Sequence, residues 1–285
     1  MMRENYKLWY YLRKSLVYFL LIFAAVLVFI PFYWMILTAL KSDYAVELVP
    51  PEMFTWDLHF KNFIDAYKST RFDLYFRNTL FVAFCSTTGT VITTVLASFA
   101  FARLEFKGRD TIFMLLLATM MIPGEMLIIT NFVTIKNWQL DDTFAALILP
   151  FMTSVFYIFF LRQTFKQIPN ELYLAAKVDG TSDFKYLLKI MVPIAKPTIL
   201  TIIILSAIGS WNAYVWPNLV TSLSNESVKL ISNGLRSSAF VDDLGRVKYN
   251  WQMAGSTIVT IPILIVFLTL KKYIIRGVSR SGIKG

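Results

Sequence analysis

Runs of apolar residues long enough to cross a lipid bilayer recur along the whole chain. A helix needs about 20 mainly apolar residues to span the hydrocarbon core, and 56% of the 285 residues are hydrophobic while only 16% are charged. The runs lie at about residues 15–40, 75–102, 111–135, 144–161, 197–216 and 251–270. Because lipid offers the backbone no hydrogen-bond partner, such spans are helices. The sequence therefore predicts an all-α integral membrane protein with about six transmembrane helices.

The placement of basic residues predicts which side of the membrane each terminus occupies. The turn at 103–109 holds three Lys or Arg residues, whereas the turn at 136–143 holds one, and short cytoplasmic turns are enriched in such residues. Both termini are therefore predicted to be cytoplasmic. The net charge of +10 does not indicate nucleic-acid binding, because the basic residues lie between apolar runs rather than on one stripe with interleaved aromatic residues.

A charged segment, residues 162–196, separates the fourth and fifth apolar runs. Its local signals predict two short helices that meet at a corner: Asn170 can cap the first, Gly180 can end it in the left-handed conformation, Thr181 or Ser182 can cap the second, and Pro193 can stop or kink it. Two interpretations stay open. The segment is an amphipathic loop on the bilayer surface, or it docks a partner, since simple helix connections need only about 2–8 residues.

The same segment carries a family resemblance. The pattern Ala175-Ala176, Asp179-Gly180, Ile190 and Pro193 resembles the cytoplasmic "EAA" loop of the permease subunits of binding-protein-dependent ABC importers. In that family the loop forms a coupling helix that fits a groove on the ATPase. Leu174 stands where the motif has its glutamate. The resemblance implies ATPase-coupling roles for Glu171, Leu172, Leu174, Ala175, Ala176, Asp179, Gly180, Thr181 and Phe184.

Two further segments extend the resemblance to the carbohydrate class of these permeases. The stretch Trp211-Asn212 is similar to the family's Trp-Asn segment, and the basic tail resembles that of the MalG-type branch, where it reaches between the ATPases. The implied fold is the type I ABC importer permease fold, one domain over 1–285 with a coupling loop at 162–196 and a cytoplasmic tail at 271–285. The implied ATPase contacts in the tail are Ser279, Arg280, Ser281 and Gly282.

The family also implies a set of partners and a location. The expected partners are a second, MalF-type permease subunit, two ATPase subunits, an extracytoplasmic solute-binding protein, a carbohydrate substrate and membrane lipids, in a bacterial cytoplasmic (inner) membrane. The chain has no G-x-x-x-x-G-K-[ST] phosphate loop. We therefore expect a transport subunit that is not itself an enzyme and binds no cofactor, with ATP and Mg²⁺ held by the partner ATPase.

Polar residues inside the apolar runs predict a translocation path. Glu125 follows a Pro-Gly break in the third run, where it faces a pore or simply lies in water at the membrane boundary. The polar and aromatic cluster at the end of the fifth run suits a sugar ring, and it equally suits an interfacial aromatic belt. The residues predicted along the path are Glu125, Asn131, Ser210, Trp211, Asn212 and Tyr214.

Two other functional classes have weaker support in the sequence. A stand-alone ion-coupled transporter would normally show several ionisable residues within its spans, and Glu125 is the one good candidate. An intramembrane hydrolase would need a partner for a nucleophilic serine, yet the single histidine, His59, lies in a polar loop. The single cysteine, Cys85, excludes an internal disulfide, and no zinc-binding spacing is present.

Overall fold

The computed structural model describes residues 2–222, 224–235, 240–242 and 244–279, with side chains described from Trp9 to Lys271. Short 3₁₀ turns lie at Leu149–Phe151 and Glu226–Val228, and a π-helical turn lies at Leu187–Met191. The α-helices are α1 Met2–Ala39, α2 Asp43–Glu47, α3 Lys61–Ser69, α4 Phe72–Arg103, α5 Arg109–Thr119, α6 Gly124–Asn137, α7 Phe144–Ile148, α8 Val155–Lys166, α9 Asn170–Val178, α10 Asp183–Tyr186, α11 Val192–Ile194, α12 Lys196–Asn212, α13 Val215–Val220, α14 Ile231–Gly234 and α15 Tyr249–Ser279. Within the described ranges, β-type pairing occurs as an isolated antiparallel bridge between Val241 and Val247.

Three single helices are long and apolar enough to cross a membrane. They comprise Trp9–Ala39 of α1, Phe72–Arg103 and Tyr249–Lys271 of α15. Three bent helix pairs pass the same test together, which gives up to six spans if each pair crosses once. The bend is 97° between α5 and α6. It is 41° between the helix over Phe144–Phe151, which is α7 with its 3₁₀ turn, and α8, and 81° between the helix over Asp183–Ile194 and α12. The predicted all-α membrane fold is confirmed.

Prolines stand beside the sharpest bends. The break before α6 contains Pro123, which adopts an extended conformation at the N-cap. In the bend before α12, Pro197 lies in the first turn of the new helix, where its missing N–H would be unpaired in any case. The predicted interruption of the third apolar run at Pro123 is thus confirmed, and it turns the chain by almost a right angle.

The described residues group into two compact units. One comprises Met1–Thr70 with Leu235–Ile261, and the other comprises Arg71–Gly234 with Pro262–Gly285. In the first unit, polar side chains close the carboxyl end of α1: the Asn62 amide donates to the carbonyl oxygens of Ala39 and Lys41 at 2.9 and 2.8 Å. These bonds satisfy acceptors that the end of a helix leaves free.

The second unit is built around α4. Its hydroxyl side chains bond to neighbouring helices: Ser98 donates to the Ile158 carbonyl at 2.9 Å, and Thr90 donates to the Phe151 carbonyl at 2.6 Å. Gly89 allows Met152 to approach closely, since an added Cβ would lie 2.6 Å from the Met152 methyl carbon. Small and hydroxyl residues give close packing and interhelical hydrogen bonds where apolar contact alone provides little driving force. Helices α4, α8 and α12 thus form one packed body.

Candidate functional site

The charged segment forms the predicted pair of short helices, α9 and α10. Gly180, between them, has φ +69°, a left-handed conformation that glycine adopts without a steric penalty. Thr181 N–H donates to the Ala176 carbonyl at 2.8 Å, which closes the end of α9. The Ser182 hydroxyl accepts from Lys185 N–H at 3.4 Å and caps α10. The corner therefore has the geometry that its sequence predicts.

One of the local predictions for this segment is wrong. Asn170 is the first residue of α9 rather than its cap, because Pro169 occupies the capping position in an extended conformation. The prediction that Pro193 stops or kinks the second helix agrees with the structure: the helix passes through a π-helical turn and ends at Ile194, one residue after the proline, where the chain bends by 81° into α12. A proline ring cannot follow a regular α-helical interior.

The inner face of α9 is fixed to α10 by a polar cluster. The Tyr173 hydroxyl donates to Asp183 Oδ1 at 2.7 Å, and Lys177 Nζ lies 2.7 Å from the same oxygen. The Tyr173 ring packs edge-on against Tyr186, with centroids 5.1 Å apart. The hydrogen bond from Lys177, followed by that from Tyr173, lowers the pKa of Asp183, and the bond to Asp183 raises the pKa of Lys177. The two helices therefore form one rigid corner.

A reciprocal pair of arginines joins this segment to the membrane helices. Arg103, the last residue of α4, donates through Nη2 to the Phe165 carbonyl at 2.9 Å and to the Ile168 carbonyl, at the end of α8. Arg162 of α8 donates through Nε to the Phe101 carbonyl at 3.0 Å, at the end of α4. Each arginine thus donates to carbonyl groups at the carboxyl end of the other helix, where the helix supplies few N–H partners of its own.

The outer face of α9 and α10 is exposed and partly apolar. Leu174 is 55% exposed, Val178 is 88% exposed and Phe184 is 61% exposed. Ala176, by contrast, is buried and belongs to a core cluster that also contains Leu187 and residues of α4, α8 and α12. We call this outer surface the docking face; it comprises Glu171, Leu172, Leu174, Ala175, Val178, Asp179 and Phe184, all of them exposed.

A cavity of about 280 Å³ lies between α4, α8 and α12. Hydroxyl groups line it on several sides. Two of these groups are hydrogen-bonded to hydroxyls of α4 outside the lining: Ser210 to Ser86 at 2.9 Å and Ser206 to Thr87 at 3.3 Å. Among the described residues, the lining contains no charged side chain. The lining residues that carry hydroxyl or indole groups are Thr90, Thr153, Ser154, Tyr157, Ser206, Ser210 and Trp216.

The helices around the cavity also hold the charged segment. One buried cluster contains Phe99 of α4, Leu161 of α8 and Ile202 of α12, and it continues into Ala176 and Tyr186 of the charged segment. Protein interiors are close-packed and transmit displacement through such contacts. A force applied to the docking face would therefore act on the helices that form the cavity.

The sequence matches a known family over most of these elements. The model for "Binding-protein-dependent transport system inner membrane component" covers residues 89–280, which is more than half of the chain. The chain belongs to this permease family. The matched range includes the docking face, α8, α12 and the part of α4 from Gly89 onward, so the family assignment applies to both parts of the site.

Individual permeases of known transport systems are similar along most of their length. The arabinooligosaccharides transport system permease protein AraQ of Bacillus subtilis (strain 168) is 33% identical over 211 residues, 74% of this chain and 73% of that protein. The sn-glycerol-3-phosphate transport system permease protein UgpE of Yersinia pestis bv. Antiqua (strain Antiqua) is 28% identical over 268 residues, 92% of this chain and 94% of that protein.

A solved structure shows the same fold. It is the crystal structure of a bacterial ABC transporter involved in the import of the acidic polysaccharide alginate, with a TM-score of 0.74 at 23% identity. The match covers 88% of this chain and 94% of that chain. The predicted ABC importer permease fold is therefore confirmed, and the chain is a multi-pass membrane protein.

Of the residues predicted along the permease's translocation path, the structure places one in the cavity lining and the others elsewhere. Ser210 lines the cavity, whereas Trp211 packs against Phe76 with ring centroids 5.7 Å apart and is not among the lining residues. The others are exposed in this structure: Glu125, Asn131, Asn212 and Tyr214. The role of each of them in transport stays a prediction.

The residues predicted in the tail fall at the end of the described chain. Ser279 is the last residue of α15, and Arg280, Ser281 and Gly282 lie outside the described residues. Thr181, predicted to couple to the ATPase, is half-buried at the corner behind the docking face.

The cavity residues Thr90, Ser154 and Tyr157 and the arginine pair were not predicted from the sequence. A signal exists for Thr90, because hydroxyl residues recur every four positions along α4, at Ser86, Thr90, Thr94 and Ser98, and therefore share one face. No local signal marks Arg103, because a basic residue at the cytoplasmic end of a span is also what the positive-inside rule requires.

Proposed function

We propose that this chain is the membrane-spanning subunit of an ATP-driven importer in the cytoplasmic (inner) membrane of a bacterium. It would work with a second, homologous permease, two ATPase subunits that bind ATP and Mg²⁺, and an extracytoplasmic protein that delivers a carbohydrate. The observation that carries the proposal is the continuous packing between an exposed docking face and the helices that form a cavity. The family and the arabinooligosaccharide relative support it.

The mechanism is alternating access. Closure of the ATPase dimer displaces the docking face, and the rigid corner passes that displacement to α4, α8 and α12 through the arginine pair and the shared core. The cavity then opens towards the loaded binding protein on the other side of the membrane. Such coupling requires the docking face to bind the two states of the ATPase with different free energy.

The lining of the cavity favours a neutral sugar over an anionic solute. Sugar hydroxyls exchange hydrogen bonds with Ser, Thr and Tyr hydroxyls, and Trp216 and Tyr157 add aromatic surface. A phosphate or carboxylate would need a basic partner in such a site, and the described lining supplies none. The same absence of acidic and basic side chains from the described lining gives no support to a stand-alone ion-coupled transporter, which would need one along its path.

ATP hydrolysis and solute uptake by the purified complex in lipid vesicles test the proposal. The binding protein is presented with neutral oligosaccharides, with sn-glycerol 3-phosphate and with no solute. We expect hydrolysis and uptake to rise together for one neutral oligosaccharide. Uptake driven by an ion gradient without an ATPase would refute the proposal, and stimulation by the phosphate ester alone would refute the substrate class.

A further inference from the structure

A short apolar segment in the first unit folds back along the end of a membrane helix. Residues 49–56, called here the outer hook, connect α2 to α3. The Tyr33 hydroxyl of α1 donates to the Met53 carbonyl at 2.6 Å, and Lys41 Nζ donates to the Glu52 carbonyl at 2.6 Å. The Lys41 amine also lies over the Trp34 ring, 4.8 Å from its centroid.

These contacts fix the depth of the hook relative to the bilayer. Tyr33 precedes Ala39, the last residue of α1, by six positions, which corresponds to about 9 Å along a helix that rises 1.5 Å per residue. The apolar run of α1 continues past Tyr33 to Leu40, and the next charged residue is Lys41, so the membrane boundary lies near Lys41 at the carboxyl end of α1. The hook backbone at Met53, which is bonded to Tyr33, therefore lies on the membrane side of that boundary, at the depth of the headgroups and upper acyl chains.

The side chains of the hook are apolar and uncovered. Val49 is 93% exposed and Trp56 is 88% exposed, and Met53 and Phe54 are also exposed. Phe54 and Trp56 pack edge-on, with centroids 4.8 Å apart, so they present one aromatic surface. An 18-residue apolar window of α1 is 0% buried within the chain, and Tyr33, to which the hook is bonded, is itself exposed. An uncovered apolar patch that continues a lipid-facing helix is a surface for lipid.

We propose that the outer hook inserts into the headgroup and upper acyl region of the bilayer leaflet at the carboxyl end of α1. The bound partner is phospholipid. Glu52 and Asp57 keep the segment out of the hydrocarbon core, since carboxylates are costly there. This proposal depends on the membrane insertion of α1 and not on the transport function.

Site-specific fluorescence quenching in the reconstituted complex tests the hook. In a Cys85→Ser background, Trp56→Cys is labelled with an environment-sensitive fluorophore and exposed to iodide in water or to phospholipid that carries a nitroxide near the headgroup. Tyr44→Cys is the matched control, because Tyr44 is 76% exposed in α2, the helix that precedes the hook. Met53→Cys provides a second site in the hook should Trp56→Cys not fold.

We expect a blue-shifted emission at the hook sites, quenching there by the nitroxide lipid and little quenching by iodide, with the opposite pattern at position 44. Iodide quenching at position 56 equal to that at position 44 would place the hook in water and overturn the proposal. Protection of position 56 from both quenchers would show that protein covers the hook, which also overturns it.

Discussion

At the scale of single residues, two arginines and one glycine hold the docking face in place. Arg103 and Arg162 donate to carbonyl groups at the carboxyl ends of each other's helices, and Gly180 permits the corner between α9 and α10. None of them belongs to the exposed face itself. We therefore expect their substitution to affect the transmission of movement more strongly than the binding of a partner.

Replacement of Gly180 tests the corner. Its φ of +69° is unfavourable for a residue with a Cβ, although nothing lies within 4 Å of the added atom, so the cost is one of backbone conformation, about 1–2 kcal/mol. We expect Gly180→Val to lose stimulated ATP hydrolysis and uptake in vesicles, and Gly180→Asn, which tolerates the left-handed region, to keep most of both. Full transport by Gly180→Val would show that the corner is not needed.

Replacement of Arg103 tests the anchor between α4 and α8. Each charge-assisted hydrogen bond to a carbonyl contributes about 1.5–3 kcal/mol, and Arg103→Met removes two of them. We expect the complex to assemble and to retain basal ATP hydrolysis, with uptake per ATP reduced. Lys107→Met is the matched control, since Lys107 is exposed on the same turn. An unchanged ratio of uptake to hydrolysis in Arg103→Met would remove Arg103 from the transmission path.

At the scale of elements, the rigidity of the docking face depends on how α9 is joined to α10. The sequence predicted the two helices and their corner because a glycine and a capping serine act locally. It did not predict that Tyr173 and Lys177 meet on Asp183, because that contact forms only after the corner closes. The prediction at Asn170 is wrong because the neighbouring Pro169 takes the capping position, and the π turn that precedes Pro193 was not predicted.

Loss of the Asp183 carboxylate should loosen α9. The pKa of this carboxyl is lowered in the folded protein. Its contribution to the stability of the corner is therefore present above the unfolded-state pKa of about 3.9, and it is lost as the pH falls through the lower pKa of the folded protein. Asp183→Asn should mimic acidification at neutral pH, and we expect faster amide hydrogen exchange across α9. Lys185→Ala, an exposed change in the same helix, should leave exchange unaltered. Equal exchange rates in Asp183→Asn and the unmodified protein would contradict this role.

At the scale of the whole molecule, the spans were predictable from the sequence and the cavity was not. An apolar run of sufficient length predicts a membrane-spanning helix by itself, whereas a cavity depends on which residues of α4, α8 and α12 come together. The polar cluster at the end of the fifth run therefore gave a mixed result: Ser210 lines the cavity, while Tyr214 is exposed. Residues without any local signal, such as Tyr157, contribute to the lining.

Tyr157, which lines the cavity, and Tyr214, which is exposed, allow the contributions of their hydroxyl groups to transport to be compared. Tyr157→Phe removes one hydroxyl from the cavity, and the loss of one hydrogen bond to a sugar is about 0.5–1.5 kcal/mol, or roughly a twofold to tenfold rise in the KM for uptake. Tyr214→Phe removes the same group from an exposed site and should leave the KM unchanged. The measurement is uptake against substrate concentration at saturating ATP. A larger effect at Tyr214 than at Tyr157 would move the path away from the cavity.

The central claim is that the docking face binds an ATPase rather than the membrane surface. Photo-crosslinking from position 184 in native membranes tests it, with a benzophenone side chain in place of exposed Phe184 and the same group in place of Tyr173 on the inner face as a control. We predict a covalent adduct with the ATPase subunit from position 184, whose yield changes when ATP is bound, and none from position 173. Adducts with lipid alone from position 184 would contradict the account and restore the interpretation of a surface-bound amphipathic loop.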